Sequence, residues 1–237
     1  MFVATLIAAG KLTDEVVREG IDRLAATGHD VGAPHWLDEH DAADIYFQGS
    51  LVSARSELAK MDHGALDVVV QPMGDRTKKL IIADMDSTMI EQECIDELAD
   101  CMGIKPQVAE ITERAMNGEI DFPQALRERV ALLQGLPVAE LERTYAERIT
   151  LMPGARTLVH TMRSMGARTL LVSGGFTFFT ERVAQAVGFE RHEANRLEIS
   201  GEALAGTVAE PILGKEAKRT SLQHAAQHFG VPMTRTM

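Results

Sequence analysis

The stretch LIIADMDSTMIEQE, residues 80–93, decides the reading of the fold. Leu80, Ile81, Ile82 and Ala83 form a short, unbroken apolar run. Such a run suits a buried core strand. Asp84 and Asp86 follow at once, then Ser87 and Thr88. Residues two apart in extended chain share a face, so the two carboxylates converge as the strand opens into a loop. Close carboxylates repel, and one keeps its proton unless a cation intervenes. One acid then suits nucleophilic attack or metal ligation, and the other suits giving and taking a proton. The same Asp-x-Asp spacing also serves as a solvated turn or a cap, and spacing alone leaves both readings open.

A second apolar run, Leu170–Val172 in RTLLVSGGF, ends in serine and glycine. Between the two runs lies PGARTLVHTMRSMG, a helix expected to hold Leu158, Val159, Met162 and Met165 on one side. Strand, crossover helix and strand is the pattern of a parallel sheet. Ligands of such sheets bind beyond the carboxyl ends of the strands, where Asp84, Asp86 and Ser173 fall. Residues 95–150 interrupt the pattern with four helical segments, Ile95–Met102, Gln107–Met116, Pro123–Leu133 and Val138–Ile149, punctuated by Gly103, Gly118 and Gly135. An all-helical insertion just after the first strand reads as a cap over that strand's end.

Residues 1–73 read as a separate small α+β unit of the ferredoxin-like kind. Phe2–Ala9 is strand-like, Thr13 is an N-cap with Asp14 and Glu15 behind it, and Val17, Ile21 and Leu24 share a helical face. One or two strands including Ala43–Phe47, a helix near Val52–Met61 and the strand Leu66–Val70 follow. The polar stretch QPMGDRTKK, residues 71–79, is the linker into a second domain spanning 78–237.

A net charge of −11 argues against a nucleic-acid partner or an anionic membrane surface. Phe2–Ala9 is too short to cross a bilayer and has no basic residue before it, so a cytoplasmic protein is expected. Cys94 and Cys101 are read as reduced core residues, and the eight histidines as surface residues.

The motifs together resemble a known family. DMDSTMIEQECIDELA (84–99) resembles the first motif of haloacid dehalogenase (HAD) phosphotransferases in their phosphoserine phosphatase form. ERAMNGEIDFPQALRERVALLQGLP (113–137) is similar to that group's cap. LMPGARTLV and LLVSGGFTFFTERVA are similar to its middle section and second motif, and GKEAKRTSL (214–222) to its lysine motif. The similarity covers residues 78–237, while the front part resembles an ACT-like domain more loosely.

The resemblance implies an α/β fold: a Rossmann-like parallel sheet with a helical-bundle cap, preceded by a small ferredoxin/ACT-like domain. It implies Mg²⁺-dependent hydrolysis of O-phospho-L-serine through an aspartyl-phosphate, the last step of serine biosynthesis. Asp84 would be the nucleophile and Asp86 the acid and base, with Mg²⁺ on the Asp84 carboxylate and the Asp86 carbonyl. Ser173, Gly174 and Gly175 would cradle the phosphate, and Lys218 would offset its charge. Lys215 competes for that role, but Lys218 stands four residues before Leu222, as the family pattern asks. Glu93 would bind the substrate's ammonium, Arg129 its carboxylate, and Met116 and Phe122 would shut out water. Without the resemblance, Glu93 and Arg129 read as solvated charges, and Met116 and Phe122 as core. A homodimer is compatible with an ACT-like front.

The pattern departs at one place. The family's Gly-Asp-Gly-x-x-Asp loop, which completes the metal site, does not occur within residues 1–237. The expectation is a fragment of a longer protein or a truncated, impaired one. The rival readings are a related phosphatase or phosphotransferase on another small phosphate, and a non-catalytic amino-acid-binding module.

Overall fold

The computed structural model describes residues 1–237, which divide into two units, Met1–Thr77 and Lys78–Met237. In the first unit, β1 (Phe2–Ile7) leads to α1 (Asp14–Ala26), whose first turn is capped by Thr13 Oγ1 accepting the Val16 N–H at 3.4 Å. β2 (Asp30–Asp38), β3 (Ala42–Gln48), α2 (Leu51–Leu58) and β4 (Asp67–Pro72) follow. All strand pairs are antiparallel in the order β2-β3-β1-β4, which is ferredoxin-like. Alternation along the strands turns Ala4, Leu6, Ile45 and Phe47 to the helices, where they pack with Val17, Leu24, Ala54 and Leu58.

Thr5 and Asp44 point the other way and are also buried. Arg76 donates to both Asp44 oxygens, at 2.8 Å to Oδ1, and to Thr5 Oγ1 at 3.1 Å. Burial pushes the Asp44 carboxyl up, but the hydrogen bonds from Arg76 and Thr5 outweigh it and hold the group below its ordinary range. His29 departs from the surface reading of the histidines. It is buried with polar partners at both ring nitrogens, the Thr27 hydroxyl at 2.9 Å from Nδ1 and Ser50 O at 3.0 Å from Nε2.

The second unit opens with β5 (Leu80–Ala83). Four helices follow: α3 (Cys94–Cys101), α4 (Lys105–Met116), α5 (Phe122–Ala131) and α6 (Val138–Arg148). The chain then returns through α7 (Ala155–Ser164), β6 (Arg168–Phe176), α8 (Thr177–Val187) and β7 (Arg191–Asn195). The hairpin β8 (Leu197–Ser200) and β9 (Ala203–Val208) precedes α9 (Lys215–Phe229). β5, β6 and β7 form a parallel sheet in that order. Residues 235–237 bond to the other edge of β5, with the Ile82 N–H donating to Met237 O at 2.8 Å.

Leu80, Leu170 and Val172 pack against Ala225 and Ala226 of α9, while Leu171 belongs to the cluster with Val159 of α7 and Val183 of α8. Helices on both faces explain why these strands read as continuous apolar runs. Two expectations need correction. Leu158 and Met165 are 37% and 48% exposed, and the inward stripe of α7 is instead Ala155, Val159 and the half-buried Met162. That stripe keeps the i, i+4, i+7 spacing, shifted one flank from the one the larger side chains indicate. The hairpin was not expected at all. It is short, with only Leu197, Leu204 and Val208 reaching the core, and main-chain bonds tie it to the cap: Gly135 N–H to Leu204 O at 2.9 Å and Leu204 N–H to Leu136 O at 2.8 Å.

Cys94 and Cys101 are both on α3 as free thiols, the first buried and the second partly so. No helix is long and apolar enough to cross a membrane.

Candidate active site

The end of β5 explains why carboxylates sit on a core strand. Met85 is fully buried between Asp84 and Asp86. Its carbonyl accepts the N–H groups of Thr88, Met89 and Ile90 at 3.2, 2.8 and 3.1 Å, which curls the chain tightly after the second acid. Ser87 takes a φ of +51°, a left-handed conformation costing a serine ~1–2 kcal/mol. The turn holds because the Ser87 N–H reaches Gln92 O at 3.1 Å and Ser87 Oγ donates to Glu93 Oε1 at 2.6 Å. The chain thereby returns to start α3 beside Asp86, whose Oδ1 accepts the Cys94 N–H at 3.0 Å.

β6 supplies the facing wall. Its ladder with β7 loses register between Val172 and Phe176, so Ser173, Gly174 and Gly175 leave the regular pattern at the strand's carboxyl end. Ser173 Oγ donates to Asp86 Oδ2 at 3.3 Å and accepts the Gly175 N–H at 2.9 Å. A Cβ on Gly175 would lie 2.6 Å from Asp86 Oδ2, and one on Gly174 would lie 3.0 Å from Phe122 Cζ. Close approach, not an unusual φ, is what requires glycine here.

These elements enclose a cavity of about 200 Å³. Asp84, Asp86, Glu93, Arg129, Ser173 and Lys218 bring polar groups to it. Gly174, Gly175 and Phe122 line it too, as do Ile95, Leu126 and Phe176, which the sequence reading missed. Phe122, Leu126 and Arg129 share one face of α5 at i, i+4 and i+7. Asp121 sets that helix by accepting the Gln124 N–H at 2.8 Å. Met116 is not brought in. It is the last residue of α4, just before the turn at Asn117 and Gly118, and is 84% exposed. Larger hollows of about 380 and 770 Å³ along the hairpin are more apolar and hold no convergent carboxylates.

The electrostatics divide the two acids. Burial pushes the Asp86 carboxyl above its ordinary range, and the nearby charges of Glu93 and Asp84 push the same way. Asp84 pairs with Lys218 of α9, while its Oδ1 accepts the Met85 N–H at 2.9 Å. Lys215 does not line the cavity, so geometry selects Lys218. Arg129 bonds only to neutral oxygens, Ala125 O at 3.3 Å and Thr112 Oγ1 at 3.4 Å, with no carboxylate within ion-pair reach. Burial lowers its pKa, opposed by the charges of Asp96 and Glu93. A half-buried, unpaired guanidinium is suited to gripping an incoming carboxylate.

Asp84 and Asp86 offer the hard oxygen donors that a small divalent cation takes. No third acid, histidine or cysteine gathers with them into a cluster. The Asp84 carboxylate with the main-chain carbonyl of Asp86 nevertheless fits an ion that keeps several waters and takes further ligands from a bound anion. With Asp86 protonated, Asp84 and Glu93 balance Arg129 and Lys218 in the lining, so a doubly charged anion entering the cavity needs further positive charge.

Residues 81–237 match the family model for haloacid dehalogenase-like hydrolases. A phosphoserine phosphatase of Archaeoglobus fulgidus is 44% identical over 82% of this chain and 55% of its own length. The chain spans about half the length of the first relatives it matches. Among solved structures, a probable phosphoserine phosphatase from Vibrio cholerae, unliganded, superposes with a TM-score of 0.78 at 30% identity, covering 99% of this chain and 71% of that one. A phosphoserine phosphatase structure holding an analogue of the phospho-aspartyl intermediate gives a TM-score of 0.63 at 35% identity, over 68% of this chain and 77% of that one.

Proposed function

This chain belongs to the haloacid dehalogenase-like hydrolases, and on that premise we propose that it hydrolyses O-phospho-L-serine to L-serine and phosphate. One observation carries the reading: the Asp84–Asp86 pair, Ser173 and Lys218 share a small cavity with Glu93 and the unpaired Arg129. The first four answer the phosphate, and the last two answer an amino-acid head.

Asp84 attacks phosphorus in line, and the bond from phosphorus to the serine oxygen breaks. Asp86 gives that oxygen its proton. Its raised pKa supports the role, because a buried carboxyl among like charges keeps a proton that an ordinary aspartate has lost. A water then attacks the aspartyl-phosphate, Asp86 takes the water's proton, and Asp84 is released. Splitting one hard displacement into two is the general gain of covalent catalysis. Ser173 Oγ and the Gly174 N–H hold phosphate oxygens, and Lys218 follows the developing charge. Ile95, Phe122 and Leu126 keep water from the reacting centre. Arg129 grips the substrate carboxylate and Glu93 its ammonium, fixing the head while the phosphate reacts.

The family implies a divalent metal, which we take to be Mg²⁺. Asp84 and Asp86 would hold it, and when bound it supplies positive charge at the phosphate. We also read residues 1–73 as an ACT-like regulatory domain and 78–237 as the catalytic domain, with the cap over 95–150. The strand order of the first unit supports its part of that division.

The test is phosphate release from O-phospho-L-serine with Mg²⁺, compared with a phosphate ester lacking the amino-acid head. Faster release from phosphoserine is expected. Equal rates, or no release from phosphoserine, would overturn the reading.

A further inference from the structure

Asn195, at the end of β7, is 2% exposed and makes no hydrogen bond to a lining side chain, yet it joins the two segments that hold the phosphate machinery. Its Nδ2 donates to Gly174 O at 2.8 Å and to Leu213 O at 3.1 Å, and its Oδ1 accepts the Leu213 N–H at 2.7 Å. Each bond is to main chain. The side chain thus clasps β6 at the Ser173–Gly175 turn and the loop that enters α9 at Gly214.

Each end of the clasp leads to one catalytic carboxylate. Gly174 O and the Gly175 N–H belong to the same peptide plane and point in opposite directions. Fixing the carbonyl from the Asn195 side therefore aims the N–H at Ser173 Oγ, 2.9 Å away. With that N–H on a lone pair, Ser173 keeps its own hydrogen to donate, here to Asp86 Oδ2 at 3.3 Å and to a phosphate oxygen once substrate is bound. On the other end, Leu213 is pinned at both its N–H and its C=O. It stands two residues before Lys215, where α9 begins and carries Lys218 to Asp84.

We propose that Asn195 is a positioning residue for phosphoryl transfer, holding the Ser173–Gly175 turn and the Lys218 helix in register so that both meet one phosphate. This rests on the phosphatase reading above. Neither neighbour replaces it: Ala194 has no polar side-chain atom and Arg196 is exposed. An alanine at 195 would leave two carbonyls and one N–H without their side-chain partner.

Two readouts on the full chain test this. In Asn195→Ala, kcat for phosphoserine is expected to fall ~10²-fold, the scale for a misplacement of about an ångström. The inhibition constant of L-serine should stay near wild type, because Glu93 and Arg129 lie on other elements. Hydrogen exchange gives the second readout and needs no turnover. Peptides covering 173–176 and 212–215 should exchange roughly tenfold faster, as ~1.4 kcal/mol of lost bonding implies, with α3 unchanged. Wild-type kcat in an active Asn195→Ala enzyme would overturn the proposal. So would unchanged exchange at both segments, or equal acceleration across the whole unit. If the wild-type chain releases no phosphate, the phosphatase reading fails instead, and the exchange pattern still decides whether Asn195 clasps the two segments.

Discussion

Replacing Gly175 by alanine tests the site's geometry with a single methyl group. The backbone there needs no positive φ, so the substitution is steric alone. The new Cβ would stand 2.6 Å from Asp86 Oδ2, 3.1 Å from Ser173 Oγ and 3.3 Å from Met85 Cε. Ordinary contact begins near 3.4 Å, so the Asp86 carboxylate has to retreat by about 0.8 Å. It cannot do so freely, because the Cys94 N–H holds its other oxygen at 3.0 Å. A displacement of this size in the group that carries the proton should lower kcat ~10²-fold, or about 2.7 kcal/mol of barrier. The stability cost of overpacking is about 1–3 kcal/mol, so a melting curve should accompany the kinetics. Gly174→Ala is the control. Its Cβ meets Phe122 Cζ at 3.0 Å, so a partly exposed cap ring rather than a reacting acid has to give by about 0.4 Å, and kcat should fall less than in Gly175→Ala. A Gly175→Ala enzyme with wild-type kcat, or equal losses in both variants, would refute the placement of Asp86 beside the reacting phosphate.

Asp86→Asn should abolish turnover yet raise the melting temperature at neutral pH. The folded pKa of Asp86 lies above its unfolded value, so its charge costs stability above the unfolded pKa. The advantage of asparagine should therefore vanish as pH falls below about 4, where the wild-type group is protonated in both states. Identical melts at pH 4 and pH 8 would contradict this. Arg129→Ala should raise KM for phosphoserine ~10²-fold and barely change it for an ester without a carboxylate; matched effects would remove Arg129 from the head-group site. Arg76→Ala should destabilise the first unit by about 3 kcal/mol at pH 7, the low end for a broken buried pair, since Thr5 and Tyr46 still donate to Asp44. Asp44 has a depressed folded pKa, so its stabilisation is present above the unfolded value and lost as pH falls through the folded one. Denaturation at pH 7 and pH 3 should show that penalty shrinking.

Legibility followed burial. Leu80–Ala83 was readable to the residue because a strand covered on both faces is apolar throughout. The carboxylates beyond it stood out by their place at the mouth of such a strand, but a solvated turn or cap read as well until the resemblance chose between them. β2 and β8 carry mostly exposed residues and β9 mixes small and polar ones, so no apolar period announces them. On α7 the bulky Leu158 and Met165 drew the stripe one flank aside, while small Ala155 makes the contact. Met116 entered by resemblance, and its place at the end of α4 leaves it in solvent. Ile95 and Leu126 carry no mark of a site in sequence, and the fold of the cap places them at the cavity. Asn195 gives no signal in sequence, because its partners are main-chain atoms on segments 18 and 21 residues away. The family's spacing to Leu222 selects Lys218 over Lys215, and α9 brings Lys218 to the cavity beside Asp84.

Trapping the covalent intermediate is the most direct test of Asp84 as nucleophile. The chain is mixed with O-phospho-L-serine labelled in the phosphate, quenched in acid within a turnover, and digested. Label is expected on the peptide carrying Asp84, and none in Asp84→Asn, whose melting curve should show an intact fold. Turnover with no trapped label, or label that survives Asp84→Asn, would contradict phosphoryl transfer to Asp84.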